Sequence, residues 1–204
     1  MGFAAPVWRT GRRRESTIPR LLDAGIEVLL EKGHTGCTPE AVAARARVAP
    51  AAVFHHFGTL NDFRLAVAEE VACRRLVRFQ SLLDTAPRDA DPLETALTLL
   101  ADLNSHRTGE ALLHLMAASR TDPALADRLA PLLDAYRRDI QEIAVQLPGL
   151  AALPPGLLAH LIQLALDLSH GVALRGGDQE AHLPLVLAIL RGRLATLLDE
   201  GTGD

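Results

Sequence analysis

GHTGCTPEAVAARARVAPAAVFHHFGTLNDFRLAV, the stretch from Gly33 to Val67, decides the fold. Thr38-Pro39-Glu40 offers an N-cap hydroxyl, a proline at the first helical position and a carboxylate facing the helix dipole, which predicts a short helix from Pro39 to about Ala46. Pro50 opens a second short helix that ends near Phe57-Gly58. Only Arg47-Val48-Ala49 separates the two, so the turn between them is tight. Val42, Ala43, Ala46, Val48, Val53 and Phe57 supply the apolar side of this pair. Thr59-Leu60-Asn61-Asp62 then follows the capping-box pattern, with aspartate in place of the commoner glutamate, and starts a long helix to about Leu83.

Upstream, Ile18, Leu21, Leu22, Gly25, Ile26, Leu29 and Leu30 recur at helical spacing behind Ser16 or Thr17 as cap. That helix stops at Lys32-Gly33. Downstream, Asp91-Pro92 caps another helix, and Asp122-Pro123 caps a later one with a kink site at Pro131. Residues 147–155 form a proline- and glycine-rich break before two last helices, at about 155–174 and 183–199. Period-two alternation of β-branched residues is missing throughout, so the fold class is all-α.

Composition narrows the function. At 204 residues and 49% apolar content the chain can bury a sizeable core. Cys37 and Cys73 are the only cysteines; both read as small apolar residues in a reducing compartment. Met1 to Trp8 is too short for an export signal, and 156–174 is interrupted by His160, Gln163, Asp167 and His170, so no membrane span is expected and the localisation is cytoplasmic. Residues 1–60 carry eight basic and five acidic side chains; against a total of −4, that leaves −7 for the remainder. A basic end joined to an acidic body suits a protein that presents one end to phosphate.

Two short helices at a tight turn present the second to a DNA major groove. The order of Gly33, Thr38, Val42-Ala43, Val48-Ala49-Pro50, Phe54-His55-His56-Phe57 and a capped long helix resembles the N-terminal signature of TetR-family transcriptional regulators over about Ser16 to Val67. The resemblance implies a three-helix helix-turn-helix domain followed by a larger helical domain for effector binding and dimerisation, divided as 1–15 (basic arm), 16–62 (DNA-binding) and 63–204. It implies a homodimer on double-stranded operator DNA, and a repressor released by a small effector is the expected mode. A leucine-rich second part with few convergent charges points to an apolar effector, and no enzymatic activity is expected. Pro39 to Ala46 becomes the positioning helix and Pro50 to Phe57 the recognition helix, with Thr38 meeting a phosphate, Phe54 and His56 facing the groove, and Pro50, Ala51, Ala52 and His55 beside them.

Two positions depart from the family pattern. Arg47 stands where the turn commonly has glycine, which costs something if φ must be positive there but adds a phosphate contact. Leu60 replaces a lysine, with Arg64 one turn later as the substitute. The recognition helix has no Arg, Asn or Gln, so readout leans on thymine methyl groups and DNA shape. Arg12, Arg13 and Arg14 form a basic arm that follows the backbone or enters the minor groove.

In the second part, Leu157, Leu161, Leu164, Leu168, Val186, Ile189, Leu190 and Leu197 lie on helices apolar around most of their circumference, which calls for a partner and points to a four-helix dimer interface. Asn104, His106, His114, Met116, Tyr136, Asp167 and His170 are the candidates for an effector cavity. The stripe His160, Gln163, Asp167, His170 is open to three readings, as pocket wall, interface rim or solvated face. No third strong ligand converges on it, so neither a metal nor any other cofactor is expected. A small helical enzyme and a plain helical adaptor are the rival classes; nucleophile elbow, phosphate loop and zinc helix are all missing from the sequence.

Overall fold

In a computed structural model, which describes residues 17–87, 91–147, 150, 153–174, 188–189 and 192, no described residue is in a strand. The helices are α1 Thr17–Gly36, α2 Pro39–Ala46, α3 Ala51–Phe57, α4 Leu60–Thr85, α5 Pro92–Ser105, α6 Arg107–Ser119, α7 Pro123–Ala144 and α8 Pro155–Leu174. None is long and apolar enough to cross a membrane among the described residues. The expected last helix, 183–199, lies outside the described residues except at 188, 189 and 192.

Side-chain caps start four of the eight described helices. Thr38 Oγ1 accepts the Ala41 amide at 3.2 Å, Asp91 Oδ1 accepts that of Glu94 at 2.8 Å, and Asp122 Oδ1 accepts that of Leu125 at 3.0 Å. Each satisfies a donor that the first helical turn leaves orphaned. Thr59 and Asp62 form a reciprocal capping box: each backbone amide donates to the other's side chain at 3.0 Å. α1 loses helical geometry at Gly33 (φ 68, ψ −176), a backbone conformation that glycine tolerates at no steric cost, and a last turn reaches Gly36.

Two features differ from a reading by caps alone. The chain between Asp91 and Asp122 makes two helices, parted at His106, whose backbone is extended (φ −71, ψ 151). Neither proline nor glycine marks that break. Ser105 Oγ donates to the Asp102 carbonyl at 3.0 Å, a local bond that competes with helix continuation. Pro131, a potential kink, sits inside the continuous helix α7. It is exposed, as is Asp127, whose carbonyl the missing proline amide leaves without its helical donor.

Packing groups the helices into two units. The first contains α1 to α3, α4 as far as Val77, α6, and α7 as far as Asp139; the second contains α4 from Arg78, α5, the end of α7 and α8. In the first, α1 packs on both α2 and α6. Its core includes Leu21, Leu22, Val42, Val53, Phe63, Val67, Leu112 and Leu129, each almost fully removed from solvent. Cys37 is buried beside the Gly25 carbonyl, and burial pushes its thiol up to about 11. In the second unit α5 packs on α8, and Leu97, Leu100 and Leu103 of α5 and Leu158, Leu161 and Ile162 of α8 are buried.

Candidate nucleic-acid interface

α1 is the platform on which the two short helices are set. Arg45 on α2 reaches back to Glu27 at 2.6 Å and also to Glu31, and α2 seats Pro39, Val42, Ala43 and Ala46 against the core. The Thr38 hydroxyl oxygen is used in capping, but its hydrogen remains available to an outside acceptor. That is the geometry for a phosphate oxygen at a helix start.

The turn after α2 is closed by two backbone bonds, from the Arg47 amide to Ala44 O at 3.2 Å and from the Val48 amide to Ala43 O at 3.0 Å. This is the Schellman arrangement, which needs a left-handed residue where Arg47 stands. Arg47 adopts φ 55, ψ 48, the only positive φ at a non-glycine position among the described residues. Arg20 of α1, which sequence reasoning missed, donates to Ala46 O and, at 3.4 Å, to Arg47 O. Its side chain thus complements the carbonyl end of the α2 dipole.

From this turn α3 is fastened by its inner face. Val53 is fully buried, and Phe57 meets Phe63 edge-on with ring centroids 5.1 Å apart. The opposite face is open: Pro50, Ala51, Phe54 and His55 are exposed, and Ala52 and His56 are half-buried. Phe54 retains 47% of its accessible surface, unusual for a phenylalanine on a packed helix. His55 and His56 stand edge to face, 5.0 Å between centroids. Gly58 (φ 84) ends the helix.

At the start of α4 the expected substitute for the missing lysine is turned inward. Arg64 Nη1 donates to Asn61 Oδ1 at 3.2 Å and lies 3.7 Å from Asp122 Oδ2, which also accepts from Asn61 Nδ2 at 3.1 Å. The physical reason is the Asp122 carboxylate, 58 residues away in sequence, which competes with any phosphate for the guanidinium. Beside it Arg128 of α7 donates to Asp62 Oδ1 at 2.5 Å. The Thr59 hydroxyl, and after it Arg128, hold the Asp62 carboxyl below the usual carboxylate range. Arg12, Arg13 and Arg14 lie outside the described residues.

The effector candidates divide between the two units. Buried Asn104, half-buried His106 and His170, and exposed Asp167 belong to the second; half-buried His114 and Met116 and buried Tyr136 belong to the first. Asp167 accepts from Gln163 at 2.8 Å along the surface of α8. His114 lies against Gly33, at the seam of α1 and α6. Tyr136 is the acceptor for Nε of Arg75, at 2.8 Å, and Arg75 is entirely buried with its guanidinium 5.6 Å from the ring centre. Arg75 went unnoticed in the sequence, where it stands beside Arg74 and three residues before Arg78, although buried Val71, Ala72 and Phe79 share its side of α4. No group of three or more potential metal ligands occurs among the described residues.

Of the dimer candidates, Leu164 is 42% and Ile189 53% exposed, Leu157 and Leu168 are half-buried, and Leu161 is buried within its own chain. Leu161 is thus a core residue of the second unit, because it falls with Leu158, Ile162 and Ala165 on the inner face of α8. Val186, Leu190 and Leu197 lie outside the described residues. His160 is exposed, with Nδ1 2.6 Å from Gly156 O.

Comparison with known proteins agrees with this arrangement. Residues 21–67 match the family model for bacterial regulatory proteins of the tetR family. Uncharacterized HTH-type transcriptional regulators of Mycobacterium tuberculosis and Mycobacterium bovis are 33% identical to the chain over 189 residues, covering 90% of it and 97% of their own length. Among solved structures, a TetR-family regulator from Mesorhizobium loti shares the fold with a TM-score of 0.69 at 16% identity, over 91% of this chain and 98% of that one. The multidrug binding protein EbrR, in complex with imidazole, does so with a TM-score of 0.61 at 24% identity, over 84% and 93%. The chain belongs to the TetR family: it is a DNA-binding transcriptional regulator and not an enzyme.

Proposed function

We propose that the chain is a homodimeric repressor that reads a palindromic operator with α3 and is released by a small apolar molecule held in its C-terminal part. The observation that carries the DNA reading is the open face of α3, Pro50, Ala51, Phe54 and His55, on a helix whose other side is locked by Val53 and Phe57. Ala52 and His56 flank that face. Thr38, Arg47 and the arm Arg12 to Arg14 take phosphates, while Arg64 joins them only where a phosphate displaces Asp122. Apolar contact to thymine methyls and fit to groove shape carry the specificity.

Residues 1–15, 16–62 and 63–204 divide the labour among arm, reader and control. Dimerisation uses the open face of α8 at Leu164 together with exposed Ile189, and places the two α3 helices one duplex turn, about 34–36 Å, apart. EbrR, a structural neighbour, is a multidrug binding protein, which supports a small-molecule role for the same fold here. A protein that works on operator DNA works in the cytoplasm.

Selection of duplexes from a random library by the purified chain tests the reading. The expected result is an enriched inverted repeat, bound less tightly as salt rises; no enrichment overturns it. A compound that binds should lose affinity when the operator is present, by the same factor of about 5 to 150 that it costs the DNA. Equal affinity with and without DNA would eliminate control by that compound.

A further inference from the structure

We infer that Arg20 is a positioning residue for DNA reading: from α1 it holds the α2–α3 turn in the left-handed conformation that aims the recognition helix. This rests on the assignment of α3 as the reading helix. The turn requires positive φ at Arg47, and an L-residue with a Cβ resists that conformation where a glycine would accept it. The two backbone bonds of the turn favour it from within, and a contact from outside the turn adds to them.

Arg20 Nη2 meets the two carbonyls that matter. Ala46 O belongs to the peptide plane before Arg47 Cα, and Arg47 O to the plane after it. The rotations of those two planes about Arg47 Cα are its φ and ψ. Both bonds come from Nη2, which carries two hydrogens, so one nitrogen of the guanidinium ties the pair of oxygens together. The platform is firm, because α1 has Leu21 and Leu22 fully buried immediately after Arg20. A lapse at this turn swings α3 without unfolding it, so the effect reaches the DNA contacts of Phe54 and His55 before it reaches stability.

A cycle of Arg20→Met, Arg47→Gly and the double variant tests this, with affinity measured on a duplex selected by the unmodified chain and at a temperature where circular dichroism finds every variant folded. Arg20→Met is expected to weaken binding about five- to tenfold in the presence of Arg47, and less than about twofold in the Arg47→Gly background, where the turn no longer needs the tie. The slope of log affinity against log salt should stay unchanged on Arg20→Met. An equal loss in both backgrounds, or a slope lower by about 1, would mark Arg20 as a phosphate contact and overturn the positioning role. If the unmodified chain selects no duplex, the DNA reading itself falls. The melting temperatures of the same four proteins then show separately whether Arg20 and Arg47 are coupled, additive shifts counting against the tie.

Discussion

A Cβ placed on Gly25 of α1 would stand 2.7 Å from Cζ of Phe63 on α4, and 2.8 Å from Cγ2 of Val67. The two helices meet closely there because one of them contributes no side chain. Phe63 and Val67 are fully buried, and a ring edge cannot swing aside as a flexible chain end can. Gly25→Ala is expected to destabilise the chain by about 1–3 kcal/mol in urea unfolding, and by less in a Phe63→Leu background. An unchanged midpoint would show that the helices can separate at little cost.

Asp62 predicts an acid limb in the stability profile. Its folded-state carboxyl is held below the ordinary range, first by the Thr59 hydroxyl and then by Arg128. The stability this contributes is therefore complete above the unfolded carboxyl value of about 3.9 and disappears as pH falls through the lower folded value. Asp62→Asn should cost about 1 kcal/mol at neutral pH, typical of a lost cap and a largely exposed ion pair, and should flatten the profile below about pH 4. Parallel acid limbs in the two proteins would remove Asp62 as the source.

Leu164 and Leu161 separate assembly from folding. Leu164→Glu places a charge on the open face of α8, so the chain should stay helical and sediment as a monomer. Leu161→Glu puts the same charge in the core of the second unit, at a cost of several kcal/mol, and should lower the melting temperature. A Leu164→Glu variant that remains dimeric at micromolar concentration places the interface elsewhere.

Replacing Arg12, Arg13 and Arg14 together by alanine should lower the salt slope of DNA binding by up to about 3, with sequence preference retained. Competition titrations against a mismatched duplex measure both quantities at once. An unchanged slope would make the arm a bystander.

The sequence announced whatever is encoded locally. Thr38-Pro39, Asp91-Pro92, Asp122-Pro123 and the Thr59/Asp62 box act within one helical turn, so these helix starts were legible, and Val53 and Phe57, one turn apart, marked the packed side of α3. The resemblance put His56 toward the groove, whereas the structure leaves His55 the more exposed of the two histidines. What stayed hidden depends on distant partners. Arg64 looked like a free cation until Asp122 came beside it, and Arg75, of a residue type that is mostly exposed, gave no sign of lying beneath Tyr136. The break at His106 carries no proline or glycine. Arg47 was read correctly as a costly turn residue, but the compensation by Arg20 required knowing that α1 passes behind the turn.

Cys37 turns its concealment into a clock. With the thiol buried at the junction after α1 and its ionisation pushed up to about 11, almost no thiolate exists in the closed protein to meet an alkylating reagent. Labelling must wait for moments when the chain leaving α1 lifts off the core, so its rate counts openings of the DNA-reading end while the remainder stays folded. Bound operator should slow that count.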